Sequence, residues 1–212
     1  MQIYPIPLGP LQTNCYILAD DDGVGAVIDP GLYTPEFVSL IEAKTTRIER
    51  ILLTHGHADH ISGAAQLRQE TGATIAIHTL DAVFTDSPLC VAVECGYPYN
   101  PFKADTLLQD GDSICFGSET LTVLHTPGHT PGGVCYIHEQ DRVIFSGDTL
   151  FCLTAGRTDF PRGSHEDLMR SLMRLRDLDG DYAVYPGHER ATQLDRERTR
   201  NLFMRRLRKA EK

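Results

Sequence analysis

Residues 54–60 read Thr54-His55-Gly56-His57-Ala58-Asp59-His60. Four side chains able to bind a metal, His55, His57, Asp59 and His60, fall within six positions. Imidazole and carboxylate are the usual ligands of zinc and related divalent ions, and neither solvent nor a packed core calls for so dense a cluster. Ile48–Leu53, just upstream, is an apolar run that reads as a strand, so the cluster lies where a strand ends. Three more donors stand alone downstream: His129 in Pro-Gly-His-Thr, Asp148 in Ser-Gly-Asp-Thr and His188 in Pro-Gly-His-Glu. A strand-like segment leads into each, and Gly56, Gly128, Gly147 and Gly187 each adjoin a donor. Strand ends that meet at one edge of a sheet bring such loops together, and glycine allows the close backbone approach they need. Seven donors suffice for two metal ions.

Working outward, Ile3–Leu8, Asn14–Ala19 and Val24–Ile28 are strand-like, separated by Pro, Gly and the Asp20–Asp22 triplet. Thr34 is placed to cap a helix over 35–44 with Pro35 at its first position. A helix is expected over Ser62–Thr71 and a strand over Thr74–Ile77; residues 86–104, with three prolines, read as a long loop with some helix before it. Ser113–Phe116, Thr120–Leu124, Val134–Ile137 and Arg142–Phe145 are the next strands. A helix over 165–176, a strand over Ala183–Tyr185 and a basic amphipathic helix over 194–210 complete the chain. Strands and helices fall into two similar halves, which predicts an α/β fold of two sheets face to face with helices outside. No Gly, Pro or Ser-rich linker divides residues 1–212, so one domain is expected.

The 212 residues can bury a proper core, and 41% apolar with 23% charged residues is ordinary for a soluble globular protein. A formal charge of −9 gives no electrostatic help toward nucleic acid or an anionic membrane. The N-terminus has no basic segment followed by an apolar stretch, so no signal peptide is expected, and no run is long enough to span a bilayer. The cytoplasm, with reduced thiols, is the expected location. Of six cysteines, Cys15, Cys115 and Cys135 lie in apolar strand-like runs and are expected to be buried free thiols; Cys90 and Cys95 share one loop. His78, His138 and His165 read as surface or structural; His125, near His129, reads as a packing residue, with orienting a ligand as the lesser alternative.

The pattern His-x-His-x-Asp-His followed by separate His, Asp and His resembles the metallo-β-lactamase superfamily over essentially the whole chain. The resemblance implies an αβ/βα sandwich with the site at one edge of both sheets. It implies that His55, His57 and His129 hold one metal, that Asp59, His60 and His188 hold a second, and that Asp148 bridges them. Within the superfamily the chain is most similar to the short glyoxalase II-like (hydroxyacylglutathione hydrolase-like) branch. It shares Asn14-Cys15-Tyr16, Asp29-Pro30-Gly31, the run Thr126–Gly132, Gly156-Arg157-Thr158-Asp159-Phe160-Pro161, and Glu197-Arg198 with Asn201 and Phe203. The implied reaction is hydrolysis of a small thioester such as S-lactoylglutathione. Two divalent ions sharing a water lower its pKa from ~15.7 toward neutrality, so no serine or cysteine nucleophile is needed. Asp59 is the candidate catalytic group, as a ligand that also orients the nucleophile's proton.

Zinc is the expected metal, with iron or manganese compatible with the same donors. The diiron oxygen- and NO-reducing relatives carry an acidic residue at the position of His57, and the secreted β-lactamases differ at that of Asp148 and carry export signals. Full-length glyoxalase II enzymes have a C-terminal helical domain with glutathione-binding basic residues, and the Tyr that often follows the last ligand motif is Arg190 here. Arg157 is then the candidate substrate contact, with a salt bridge to Asp159 as the equal alternative. The tail cations Arg200, Arg205, Arg206, Arg208 and Lys209 read as a solvated helix end. The competing enzyme class is a mononuclear iron persulfide dioxygenase, which shares a Gly-Arg-Thr-Asp-Phe segment and uses the equivalents of His55, His57 and Asp148; a phosphodiester or other ester hydrolase is a further alternative. The expected partner is a small-molecule substrate, with neither nucleic acid nor membrane.

Overall fold

A computed structural model describes residues 1–87, 96–98 and 100–206. The first sheet has the order β1 (Gln2–Leu8), β2 (Thr13–Ala19), β3 (Val24–Ile28), β4 (Arg47–Leu52), β5 (Thr74–His78) and β6 (Thr106–Leu108). β1 to β3 pair antiparallel and β3 to β6 parallel. β1 carries Pro5 and Pro7 and lies at the sheet edge, where a missing N–H leaves no ladder bond unmade. The second sheet contains β7 (Ser113–Phe116), β8 (Glu119–His125), β9 (Val134–His138), β10 (Val143–Gly147), β13 (Ala183–Pro186) and β14 (Thr192–Gln193). It is antiparallel except for the β10–β13 pair. β11 (Leu150–Phe151) and β12 (Thr154–Ala155) form a separate hairpin.

Three apolar layers hold these sheets and their helices together. Leu18, Ile28, Leu52, Phe116, Tyr136 and Phe145 are among the side chains packed between the sheets. Phe37 and Ile41 of helix α1 (Pro35–Lys44) pack on the outer face of the first sheet, beside Leu67 of α3 (Ala64–Thr71). Leu168, Leu172 and Leu175 of α4 (His165–Arg176) cover the second sheet with Leu194 and Met204. Burying each such side chain contributes about 1.5–3 kcal/mol. The result is the expected αβ/βα sandwich of two mixed sheets. The Thr34 cap is present, its hydroxyl accepting the Phe37 N–H at 3.2 Å.

The differences from expectation lie mostly in short elements. The helix foreseen over Ser62–Thr71 is α3, and a short helix that was not foreseen, α2 (Ala58–Ile61), starts inside the histidine cluster, so two helices stand where one was expected. The chain bends between them at Gly63, whose N–H donates to Pro30 O at 2.8 Å. The tail helix is likewise α5 (Leu194–Arg200) and α6 (Leu202–Arg206), because buried Asn201 leaves the helical conformation and accepts the Phe203 N–H at its own side chain. Arg208 and Lys209 lie outside the described residues, as do Cys90 and Cys95. Cys15 and Cys135 are buried, but Cys115 is exposed. Along edge strand β7, Ile114 and Phe116 face inward and Cys115 takes the opposite face.

Candidate metal centre

The seven donors come together at one edge of the sandwich. β4 leads to His55 and His57, α2 carries Asp59 and His60, and the turns after β8, β10 and β13 carry His129, Asp148 and His188. The sheets are tied at that edge: Val134 N–H donates to Thr54 O at 2.9 Å and Asn14 N–H to Gly187 O at 2.7 Å, while within the second sheet Gly187 N–H donates to Gly147 O at 2.9 Å. The buried hydroxyls of Tyr16 and Tyr136 donate to Pro186 O and Leu53 O at 2.6 and 2.7 Å. Gly187 has to be glycine: a β-carbon there would lie 2.3 Å from Asp148 Oδ1 and 2.8 Å from His60 Cε1.

Three donor groups are each compact enough for one ion: His55, His57 and His129; Asp59, His60 and His188; and His55, His60 and Asp148. In the first, His57 Nδ1 stands 3.1 Å from His55 Nε2 and 2.9 Å from His129 Nε2. In the second, Asp59 Oδ2 is 3.3 Å from His60 Nε2 and 3.2 Å from His188 Nε2. Asp148 lies between the two. Its Oδ2 is 3.4 Å from His129 Nε2 and 3.6 Å from His188 Nε2, and its Oδ1 is 3.5 Å from His60 Nε2. His60 Nε2 and Asp148 Oδ1 are buried without a hydrogen-bond partner. Inward lone pairs at such spacing, two of them otherwise orphaned, fit cations.

The outer ring nitrogens fix the tautomers. His129 Nδ1–H donates to Arg157 O at 2.8 Å, and His60 Nδ1–H to Asp29 Oδ2 at 2.9 Å. His55 Nδ1 faces Thr54 Oγ1 at 3.1 Å, and that hydroxyl donates to Asp29 Oδ2 at 2.6 Å. A proton on each Nδ1 makes the inward-facing Nε2 the atom available to a metal. Burial, then His60, holds His55 well below its usual pKa; burial, then His129, pushes His57 down to about 3. Both rings are therefore in the neutral form that a metal requires. Burial acts to raise the Asp59 carboxyl, but His60 and His188 outweigh it and keep it ionised. Burial also acts against charge on His60 and His188; for His60 the carboxylates Asp59, Asp148 and Asp29 prevail, for His188 Asp59 and Asp148, and both pKa values rise.

A pocket of ≈ 440 Å³ opens over the donors, walled by Leu11, Phe151, Ala155 and Phe160, with Arg157 and Glu189 among its lining. Arg157 is paired with Asp159 through two contacts of 2.7 Å, and its guanidinium lies 4.3 Å from the centre of the Phe160 ring. The salt bridge and the pocket position coexist. His125 does not support a donor: it stacks on His78 at 4.1 Å and its Nε2 bonds Pro131 O. Asp29 belongs to the site through His60 and Thr54; the sequence marks it as part of a shared motif at the end of a strand but gives it no role at the donors. Thr13, which donates to Asp59 Oδ2 at 2.8 Å, carries no signal in the sequence.

Residues 8–188 match the sequence profile of the Metallo-beta-lactamase superfamily, and the chain belongs to that superfamily. It is 36% identical over 208 residues to a protein named hydroxyacylglutathione hydrolase GloC from Haemophilus influenzae, covering 96% of this chain and 98% of that one. Among solved structures, the BLEG-1 B3 metallo-beta-lactamase superposes with a TM-score of 0.90 at 34% identity, covering 96% of this chain and 99% of that one. TTHA1623 in a di-iron-bound form gives 0.85 at 34% identity, covering 94% and 99%. Among the described residues no helix is long and apolar enough to cross a membrane.

Proposed function

We propose that the protein is a dinuclear metal-dependent hydrolase of small thioesters such as S-lactoylglutathione. The observation that carries this reading is the convergence of two donor groups, with Asp148 between them, beneath a single pocket. The likeness to a hydroxyacylglutathione hydrolase along nearly the full length supplies the substrate class. His55, His57 and His129 would hold one cation, Asp59, His60 and His188 the other, and Asp148 both. Zinc suits an imidazole-rich set with few carboxylates, and iron or manganese fits the same atoms. Bound divalent cations lower the pKa of coordinated water and polarise a carbonyl oxygen.

The chain's own residues do the rest. Asp59, fixed by the Thr13 hydroxyl and ionised at neutral pH, accepts the nucleophile's proton in a hydrogen bond and so sets its direction of attack. The apolar wall shields the thioester from bulk water. Arg157 stands at the pocket with its charge already matched by Asp159, so it contributes orientation and stacking more than free charge. The ligand is proposed to be a small molecule and not a nucleic acid.

The test is thiol release from S-lactoylglutathione by zinc- or manganese-loaded protein. Asp59→Ala is expected to lower turnover by at least ~100-fold. Unchanged turnover in this variant defeats the assignment; one iron per chain with oxygen uptake replaces it with the dioxygenase.

A further inference from the structure

One buried carboxylate outside the seven donors touches both loops that deliver His55, His57 and His129. Asp81 lies in the 3₁₀ turn Thr79–Phe84 and is fully buried. Its Oδ2 accepts the Gly56 N–H at 3.0 Å and the Thr130 hydroxyl at 2.7 Å, and its Oδ1 accepts the Gly132 N–H at 2.6 Å. Gly56 separates His55 from His57, and Thr130 follows His129. The turn also packs on bare backbone, since a β-carbon on Gly56 would come within 2.5 Å of Phe84 Cβ. Phe84 in turn packs edge-on against the His57 ring at 6.0 Å between centres.

A carboxylate buried among neutral donors is costly to keep, and for stability alone an apolar side chain serves as well or better. What it does that no apolar group can do is fix two separate backbone segments at once. We propose that Asp81 is a positioning residue for the cation held by His55, His57 and His129: it sets the spacing between the His57 and His129 loops, so that three ring nitrogens address one centre. This rests on the two-cation reading of the site and adds to it a residue that touches no imidazole. Asp29 orients His60 by direct contact; Asp81 works through main chain and one hydroxyl.

Zinc(II) titration of the metal-stripped full chain against a chromophoric chelator tests this, with cobalt(II) spectra recorded alongside. Wild type is expected to bind two equivalents. Asp81→Asn keeps the volume but turns an NH₂ group onto at least one of the three donors. It is expected to weaken one equivalent by ~10–100-fold and leave the other unchanged, and to alter the cobalt bands of the weakened equivalent only. Thr130→Val removes one donor, keeps the carboxylate, and is expected to weaken the same equivalent by a smaller factor. Unchanged affinities in Asp81→Asn, even with a lower melting temperature, overturn the proposal in favour of a purely structural role. Should Asp81→Asn fail to fold, unchanged affinities in Thr130→Val overturn it. Fewer than two equivalents in wild type is a different failure, that of the two-cation reading itself.

Discussion

Asp29→Asn tests how the His60 ring is oriented. Asp29 is buried, and its φ of 51° lies in the left-handed region that Asn also tolerates, so the substitution adds no backbone strain. Its Oδ1 accepts the Thr54 N–H at 2.8 Å; its Oδ2 accepts the Thr54 hydroxyl and His60 Nδ1–H at 2.6 and 2.9 Å. The Thr54 amide can only donate, so the oxygen of an Asn stays opposite it and the NH₂ faces His60. The ring then accepts at Nδ1 and carries its proton on Nε2, the atom that points at Asp59 and Asp148. A proton there occupies the cation's direction of approach. Loss of such an outer-sphere partner costs about 10–100-fold in metal affinity, or ~1.4–2.8 kcal/mol. Asp29→Ala is a poorer probe: it strands three buried donors at about 1–3 kcal/mol each, a large share of the 5–15 kcal/mol or so that holds a domain folded. Zinc titration measures the affinity and the ring nitrogen NMR shifts of His60 report the tautomer. Two equivalents bound with wild-type affinity, or a His60 ring still protonated at Nδ1, refute the reasoning.

Gly187→Ala places a methyl group 2.3 Å from Asp148 Oδ1 and is expected to displace that carboxylate. A shift of the carboxylate by about 1 Å is worth ~100-fold in turnover, with loss of at least one zinc equivalent by metal analysis; retention of both equivalents speaks against the shared role of Asp148. Zinc binding is also expected to release protons. The raised pKa values of His60 and His188 in metal-free protein mean that protons compete with the cation, so apparent affinity falls as pH falls. Calorimetry in buffers of different ionisation heat counts the released protons, and an affinity constant across roughly pH 5–8 contradicts the sign.

The donors were legible because metal chemistry narrows the choice of side chain, and because a local cluster of four is visible without knowing the fold. The long strands and α1 were legible because apolar period, cap and proline agree. β6, β11, β12 and β14 are two or three residues long and owe their pairing to neighbours rather than to any pattern of their own. Asn201 breaks the tail helix for a tertiary reason: its amide donates to Thr154 O at 2.9 Å and to buried Glu197 at 2.9 Å, binding the tail to the β11–β12 hairpin. Asp81 was invisible for the opposite reason to the donors. A single aspartate in the turn Thr79–Phe84 belongs to no spacing pattern that marks a site, and only the fold brings Gly56, Thr130 and Gly132 around it.

The segment Gly156–Pro161 serves both the donor cluster and the pocket within one motif. His129 is oriented by the carbonyl of Arg157, a contact that any residue at that position can make. Gly156 is constrained by backbone, since a β-carbon there would lie 1.8 Å from Asp148 O. The side chains of Arg157 and Phe160, by contrast, face the pocket and touch each other. Phe160 also packs edge-on against the His57 and His129 rings, at 5.3 and 5.9 Å between centres, so it borders the pocket and the donors alike. Arg157 is the side chain of this segment whose exchange alters the pocket while the carbonyl at its position keeps its hold on His129. A fold that holds its donors through backbone contacts of this kind can host different substrates on one centre, so the side chains of the pocket, and not the fold, decide which substrate is taken.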